Sequence, residues 1–253
     1  MVIMAICTKN RHELLFNLID KFEEVGKIVV VDSSANPVSG LSEYYYLPQF
    51  TIAMARAWVL KKYRDEKILM IDDNVDVDVE EVNKLIDYPM ADDVGILTAN
   101  FGNLYFKDEE EEVVNPYKLY LLNIRHNYDI HLPNGVFEDK QIGIDTWLLG
   151  KRVVRVPIKF KRKYGKGGVL NEDVRSKEKR QKYFEIGGRY FMKRYNFVNF
   201  SADYRMLVGV KQLKRLGGQY NNLILNTTVS ANRLGEDSIY DPSPSPSIFD
   251  YLQ

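Results

Sequence analysis

The sequence has few of the features that secreted and membrane-spanning proteins require. It contains one cysteine, Cys7, among 253 residues, so no intramolecular disulfide can form. No apolar run approaches the about 18 to 20 residues that a membrane-spanning helix needs. The first residues, MVIMAICTKNR, lack the basic start and cleavage site of a signal peptide. We therefore expect a cytoplasmic protein in which Cys7 is a small buried hydrophobic residue.

Glycine-rich phosphate-binding patterns are also missing. The turn that follows the first apolar run, CTKNRHELL, contains no glycine. Neither the P-loop pattern nor the glycine pattern of dinucleotide-binding folds occurs elsewhere in the chain. This counts against a sugar nucleotidyltransferase as well, because its glycine-rich loop should follow the first strand.

The charges of the chain are unevenly distributed although they sum to zero. Residues 151–220 contain 20 Lys and Arg but 5 Asp and Glu, a balance of +15, which leaves 15 basic and 30 acidic residues elsewhere. A split of this size predicts two surfaces with different partners. Three interpretations of the basic residues 151–220 are open. They form a solvated helical surface, they supply cations that bind a diphosphate, or they line a groove for a nucleic acid.

The spacing of apolar residues predicts alternating strands and helices in the first part of the chain. Strands are expected at 2–7, 27–32, 67–73, 94–100 and 153–160, and helices at 12–25, 51–64, 79–87 and within 135–150. An acidic loop is expected at 108–112. This order predicts an α/β fold with a mixed, mainly parallel sheet flanked by helices.

Three segments follow from these patterns. Residues 1–160 form the α/β domain, 161–233 a basic and aromatic region with helical character, and 234–253 a flexible tail rich in serine and proline.

Acidic residues stand at the end of the third predicted strand, in the segment ILMIDDN. In open parallel sheets, ligands bind beyond the carboxyl ends of the strands. Asp72, Asp73 and Asn74 lie at such an end, and oxygen ligands suit Mn²⁺ or Mg²⁺, which take further ligands from substrate phosphates. Taken alone, the same residues also fit a solvated acidic turn.

Four segments in order resemble the GT-A fold glycosyltransferases, in particular the inverting family-2-like group. MAICTKNR resembles the first strand and nucleotide-binding turn of that family, and KIVVVDSS its second strand. AMARAWVLKKYRDEKILMIDDN resembles its arginine-bearing helix and metal-motif strand, and GVFEDKQIGIDTWLLGKRVVRVP its "Glu-Asp" segment. The resemblance covers residues 2–160 and implies a metal-dependent hexosyltransferase using a nucleotide diphosphate sugar, with a UDP-sugar as the first candidate.

The resemblance also implies roles for individual residues. The acceptor hydroxyl needs a general base, which would be Asp139 with Glu138 beside it. Asn74 stands where the family usually has an aspartate, so the assignment among the three residues of the acidic motif stays open. The donor would be bound by Thr8, Arg11, Asp32, Arg56 and Asp72, and the metal, Mn²⁺ or Mg²⁺, by Asp73 and Asn74.

The basic region offers candidates for contacts with phosphates or with the acceptor. If the region is helical, four of its cations, at positions 179, 182, 189 and 193, fall within about 80° of one another around the helix axis. The segment KYGKGG adds two lysines, at positions 163 and 166, beside glycines. The residues are Lys163, Lys166, Lys179, Lys182, Arg189 and Lys193.

A small GT-A domain followed by such a region resembles phage glycosyltransferases that modify hydroxymethyl pyrimidines in DNA. This resemblance implies a DNA acceptor, in a prokaryotic or phage-infected host cell, with the modified base flipped out or single-stranded. The rival from another class is a non-catalytic nucleic-acid-binding protein whose acidic residues are purely structural.

Overall fold

The computed structural model describes residues 2–101, 109–113, 115–124, 126–132, 137–162, 182, 185–190 and 194. None of the helices in these ranges is both long enough and apolar enough to cross a membrane. The elements are β1 (Val2–Thr8), α1 (His12–Phe22), β2 (Lys27–Asp32), β3 (Tyr44–Tyr46), α2 (Ile52–Lys62), β4 (Lys67–Asp72), β5 (Val75–Asp76), α3 (Val79–Ile86), β6 (Val94–Phe101), β7 (Glu111–Val113), β8 (Leu119–Leu122), α4 (Glu138–Leu148) and β9 (Arg152–Arg162).

The strands form one mixed sheet in the order β3-β2-β1-β4-β8-β6-β9-β5, with β7 paired to β9. Strands β3, β2, β1 and β4 are parallel neighbours, and β6 pairs in parallel with β9. Strand β8 runs antiparallel between β4 and β6. The expected mixed α/β sheet flanked by helices is therefore confirmed.

Helices cover both faces of the sheet because its central strands are aliphatic throughout. Side chains alternate between the faces of a strand, so Ala5 packs in the core beneath α2 and α4, whereas Ile6 packs in the core beneath α1 and α3. Cys7 belongs to the first of these cores and is 8% exposed, as expected. Burial raises the pKa of its thiol to about 12, so Cys7 is not a reactive nucleophile.

The register of the parallel strands gathers their carboxyl ends at one edge of the sheet. Thr8 lies opposite Asp32 of β2, and Cys7 lies opposite Asp72 of β4. Residues that follow β1, β2 and β4 therefore emerge side by side, and the antiparallel β8 brings its own beginning to the same edge.

Several predicted boundaries were wrong. Helix α1 ends at Phe22, not at residue 25, because the chain enters a turn in which the Val25 amide donates to the Phe22 carbonyl at 3.0 Å. The expected acidic loop at 108–112 contains the beginning of β7, which pairs with β9. Glu111 is held there by Arg155 at 3.2 Å, so a charged side chain is compatible with this strand. The short strands β3 and β5 were not predicted.

Candidate active site

Asp72 and Asp73, two acidic residues at the end of β4, contact different partners. Asp73 is 4% exposed, and its two oxygens accept hydrogen bonds from Thr8 Oγ1 at 2.9 Å and from Arg11 Nη1 at 2.5 Å. Burial raises the pKa of Asp73, with Arg11 acting in the opposite direction. The sequence predicted all three residues for this site, and the structure brings them together.

Arg56 of helix α2 connects the end of β4 with the beginning of α4. Its Nη2 donates to Asp72 Oδ1 at 2.8 Å, and its Nη1 donates to Asp139 Oδ1 at 2.6 Å. Arg56 is 3% exposed, and its guanidinium lies 5.8 Å from the ring of Tyr120 and 5.7 Å from that of Tyr128. The bidentate geometry of arginine suits such a bridge, so Asp72 and Asp139 are held in one cluster.

Lys118, which precedes β8, is the third cation of the site and was not predicted. Its Nζ donates to Asp72 Oδ2 at 2.7 Å and to Asn74 Oδ1 at 3.0 Å. Burial would raise the pKa of Asp72, but Lys118 and then Arg56 outweigh it, and the pKa is lowered. Asp72 is therefore ionised and paired to cations on both oxygens.

The side-chain oxygens of the residues predicted to bind a divalent cation are already engaged in hydrogen bonds with other side chains. Both oxygens of Asp73 and of Asp72 accept hydrogen bonds, and the side-chain oxygen of Asn74 accepts one from Lys118. Within the described part of the chain, no group of three or more His, Cys, Asp or Glu could hold a metal ion. A divalent ion bound by Asp72 and Asn74 would have to displace Lys118, and one bound by Asp73 would lie against the Arg11 guanidinium, so the donor set as arranged does not fit such an ion.

The carboxylates of the first two residues of α4, Glu138 and Asp139, differ in how a positive charge or a hydrogen bond balances them. Asp139 is tied to Arg56, whereas Glu138 lies 3.9 Å from Arg56 and its Oε2 is buried with no hydrogen-bond partner among the described residues. Burial, and next the charge of Asp139, raises the pKa of Glu138 to about 7. Burial also raises the pKa of Asp139, with Arg56 opposing it. Both carboxylates are thus stronger bases than exposed ones.

Unusual backbone conformations cluster at this site. Among the described residues other than glycine, positive φ angles occur at Asn10 (54°), Lys118 (57°) and Phe137 (66°). Asn10 precedes Arg11, Lys118 contacts Asp72, and Phe137 is the N-cap of α4. Such conformations cost on the order of 1 kcal/mol each and persist where the surroundings impose them, frequently at functional sites.

Asp32 lies at the same edge but is fully buried. Its Oδ1 accepts hydrogen bonds from the backbone amide and the hydroxyl of Ser34, and its Oδ2 accepts one from Tyr44 at 2.7 Å. His12 Nε2 lies 3.2 Å from Oδ2 and 3.0 Å from Ser34 Oγ. Direct contact between Asp32 and a nucleoside would require one of these bonds to open. His12, Ser34 and Tyr44 were not predicted.

A described part of the basic region docks beside α4. Asp129, which is 8% exposed, accepts hydrogen bonds from the Tyr190 hydroxyl at 2.6 Å and from Arg194 Nη1 at 2.7 Å. Arg194 Nη2 also donates to Asp145 of α4 at 2.7 Å. The segment is thereby fixed to the helix that carries Asp139.

The predicted phosphate or acceptor contacts are only partly described. Lys182 and Arg189 are exposed. The other four residues of that prediction, Lys163, Lys166, Lys179 and Lys193, lie outside the described residues.

Comparison with solved structures places this geometry in a known fold. GalNAc-T7 with UDP, GalNAc and Mn²⁺ is 14% identical, with a TM-score of 0.56 over 77% of this chain and 50% of that chain. The mannosyltransferase PcManGT from Pyrobaculum calidifontis in complex with GDP-Man and Mn²⁺ is 12% identical, with a TM-score of 0.49 over 74% of this chain and 64% of that one. No protein-family model and no curated protein matches the sequence.

These identities show the fold alone, and the fold is that of the GT-A glycosyltransferases, as the sequence predicted. The chain spans half the length of GalNAc-T7.

Proposed function

We propose that the protein is a glycosyltransferase that transfers a sugar from a nucleotide diphosphate donor to an acceptor hydroxyl. The observation that carries this proposal is the Arg56 bridge between Asp72 and Asp139. The bridge joins the strand end at which a GT-A fold receives its donor to a carboxylate at the start of α4. If the acidic motif were only a structural turn, it would not require a buried arginine that also binds a second acid, which lies 83 residues after that arginine in the sequence.

Cations at the carboxyl edge of the sheet are suited to the donor diphosphate. Arg11 and Lys118 are partly exposed, with 25% and 12% of their side chains accessible. Positive groups held in place before the reaction stabilise the charge that grows on a leaving diphosphate. The first donor candidate is a UDP-sugar, because GalNAc-T7, which shares the fold, was solved with UDP.

Asp139 is the proposed general base. Its side chain is 24% exposed and can reach a substrate, whereas that of Glu138 is 11% exposed. In a single displacement with inversion, the acceptor oxygen bonds to the anomeric carbon as the bond from that carbon to the phosphate oxygen breaks. The acceptor proton passes to Asp139, and the nucleoside diphosphate leaves with the bonding electrons.

The proposed acceptor is a hydroxymethylated pyrimidine in DNA. The balance of +15 in residues 151–220 supports it, as does the docking of Arg194 beside the helix of the proposed base. Gel shifts with hydroxymethylated and plain DNA at increasing salt test it, because phosphate contacts must weaken as salt rises. Absence of binding even at low ionic strength removes DNA as the acceptor.

The donor proposal is tested with a panel of UDP- and GDP-sugars in a thermal-shift assay, followed by assays of slow donor hydrolysis. A donor present at about 100 times its dissociation constant should stabilise the fold by about 2.7 kcal/mol. Each sugar is measured once with EDTA and once with Mn²⁺. If none stabilises the protein or is hydrolysed under either condition, the proposed function is wrong and nucleic-acid binding alone becomes the better reading.

A further inference from the structure

We propose that Lys118, with Arg56 and Arg11, supplies the positive charge for the donor diphosphate at the place where the sequence predicted a divalent cation. Donor binding then does not require a metal. This inference rests on the proposed function and concerns how the same site neutralises its donor.

Lys118 contacts the oxygens that a cation at the acidic motif would use. It donates to Asp72 Oδ2 at 2.7 Å and to Asn74 Oδ1 at 3.0 Å. A neutral asparagine is also a weaker ligand for a divalent ion than the aspartate that usually stands there, and it accepts a hydrogen bond from an ammonium group equally well. The lysine thus bridges the first and last residues of the motif, in the way expected of an ion.

The sheet itself holds Lys118 in this position. Leu119 lies opposite Ile71 in the antiparallel β4–β8 pair, and the Asp72 amide donates to the Lys118 carbonyl at 2.8 Å. The lysine has a φ of 57°, which residues with a Cβ seldom adopt without a structural cause. Its placement therefore follows from backbone pairing, in contrast to a flexible surface lysine that happens to meet an acid.

The charges favour a lysine over an added ion in the absence of donor. The three carboxylates of Asp72, Asp73 and Asp139 are matched by three cations, on Arg11, Arg56 and Lys118. A divalent ion would add two positive charges to a cluster already balanced in this way, and it would have to displace Lys118. A donor diphosphate adds negative charge instead. An ammonium group has three N–H donors. Among the described residues, Asp72 and Asn74 accept two of them, and Nζ lies 5.5 Å from the ring of Tyr117, so one donor can turn to a phosphate oxygen.

The test is the dissociation constant of UDP and of GDP, measured by calorimetry on the full chain in EDTA and in Mn²⁺. We expect the better of the two nucleotides to bind the unmodified protein equally well, within about twofold, in both conditions. Binding that appears only with Mn²⁺ overturns the inference and leaves the proposed function standing. If neither nucleotide binds in either condition, the proposed function with a UDP- or GDP-sugar as donor is itself refuted.

Variants at Lys118 give the second arm. Lys118→Met keeps the length of the side chain and removes its charge, and it should weaken nucleotide binding in EDTA by about 10- to 100-fold, the usual effect of losing a hydrogen bond to a charged group. Lys118→Arg should retain part of the affinity. Lys84→Met is the matched control, because Lys84 has 61% of its side chain exposed and pairs with Glu81 on α3. Unchanged affinity in a folded Lys118→Met variant also overturns the inference.

Discussion

The pH dependence of stability should reveal the buried carboxyl group of Glu138. Its pKa is raised from 4.5 to about 7, first by burial and next by the charge of Asp139. At pH values between these two, the folded protein keeps a proton that the unfolded chain has released. Stability is therefore fully present below about pH 4.5 and falls as the pH rises through about 7. At about 1.4 kcal/mol per pKa unit, the loss is about 3 kcal/mol.

Glu138→Gln replaces the titrating carboxyl group by a neutral amide. It should therefore abolish the part of the pH dependence of stability that comes from this group. The measurement is urea unfolding, followed by circular dichroism, of both proteins at pH 5, 6, 7 and 8. The unmodified protein should lose stability relative to the variant from pH 5 to about 7, and the two should change in parallel above that pH.

Glu80→Gln serves as the control, since Glu80 is an exposed glutamate on α3. The stability of the Glu80→Gln variant should follow that of the unmodified protein at every pH. Parallel curves for the unmodified protein and Glu138→Gln across the whole range would refute the reasoning, because the buried carboxyl would then have an ordinary pKa.

Three further predictions concern the site and the core. Asp139→Asn should lower sugar transfer by about 10²- to 10⁴-fold with the dissociation constant of UDP little changed, and near-normal turnover would show that Asp139 is not the base. Arg56→Met should cost about 3–5 kcal/mol in urea unfolding because it leaves buried carboxylates unpaired, and part of that loss should return when Asp72→Asn is added. Gly95→Ala should cost about 1–3 kcal/mol, because its new Cβ would lie 2.6 Å from Thr146 Cγ2; an unchanged unfolding midpoint would contradict that packing.

The central strands could be predicted from the sequence because their physical cause is local. Strands β1, β2 and β4 lie between two helical layers and are therefore aliphatic on both faces, so each was predicted to within one residue of its ends. Strand β3 gave no such signal, since Tyr44–Tyr46 are all half-buried and do not alternate. Strand β5 contains two residues, Val75 and Asp76, which are too few for any period.

The acidic residues of the site were predictable for the same reason, whereas one of their three counter-charges, Lys118, was not. Asp72 is the last residue of an aliphatic strand, and Asp139 is the second residue of a helix, so each is marked by its own neighbours in sequence. The pairing of Asp72 with Lys118 spans 46 residues and depends on an antiparallel strand inserted beside β4. No local pattern reports that insertion.

Because acids are visible in a local sequence pattern and a distant cation is not, an acidic motif considered in sequence alone suggests a metal site too readily. Carboxylates at a strand end are visible, and a metal ion is the simplest way to balance them. A cation that arrives from a strand distant in sequence, as Lys118 does here, balances the same charge but leaves no trace beside the motif. The choice between a metal and a lysine is therefore decided by the order of the strands, because that order determines whether an ammonium group lies within 2.7 Å of Asp72.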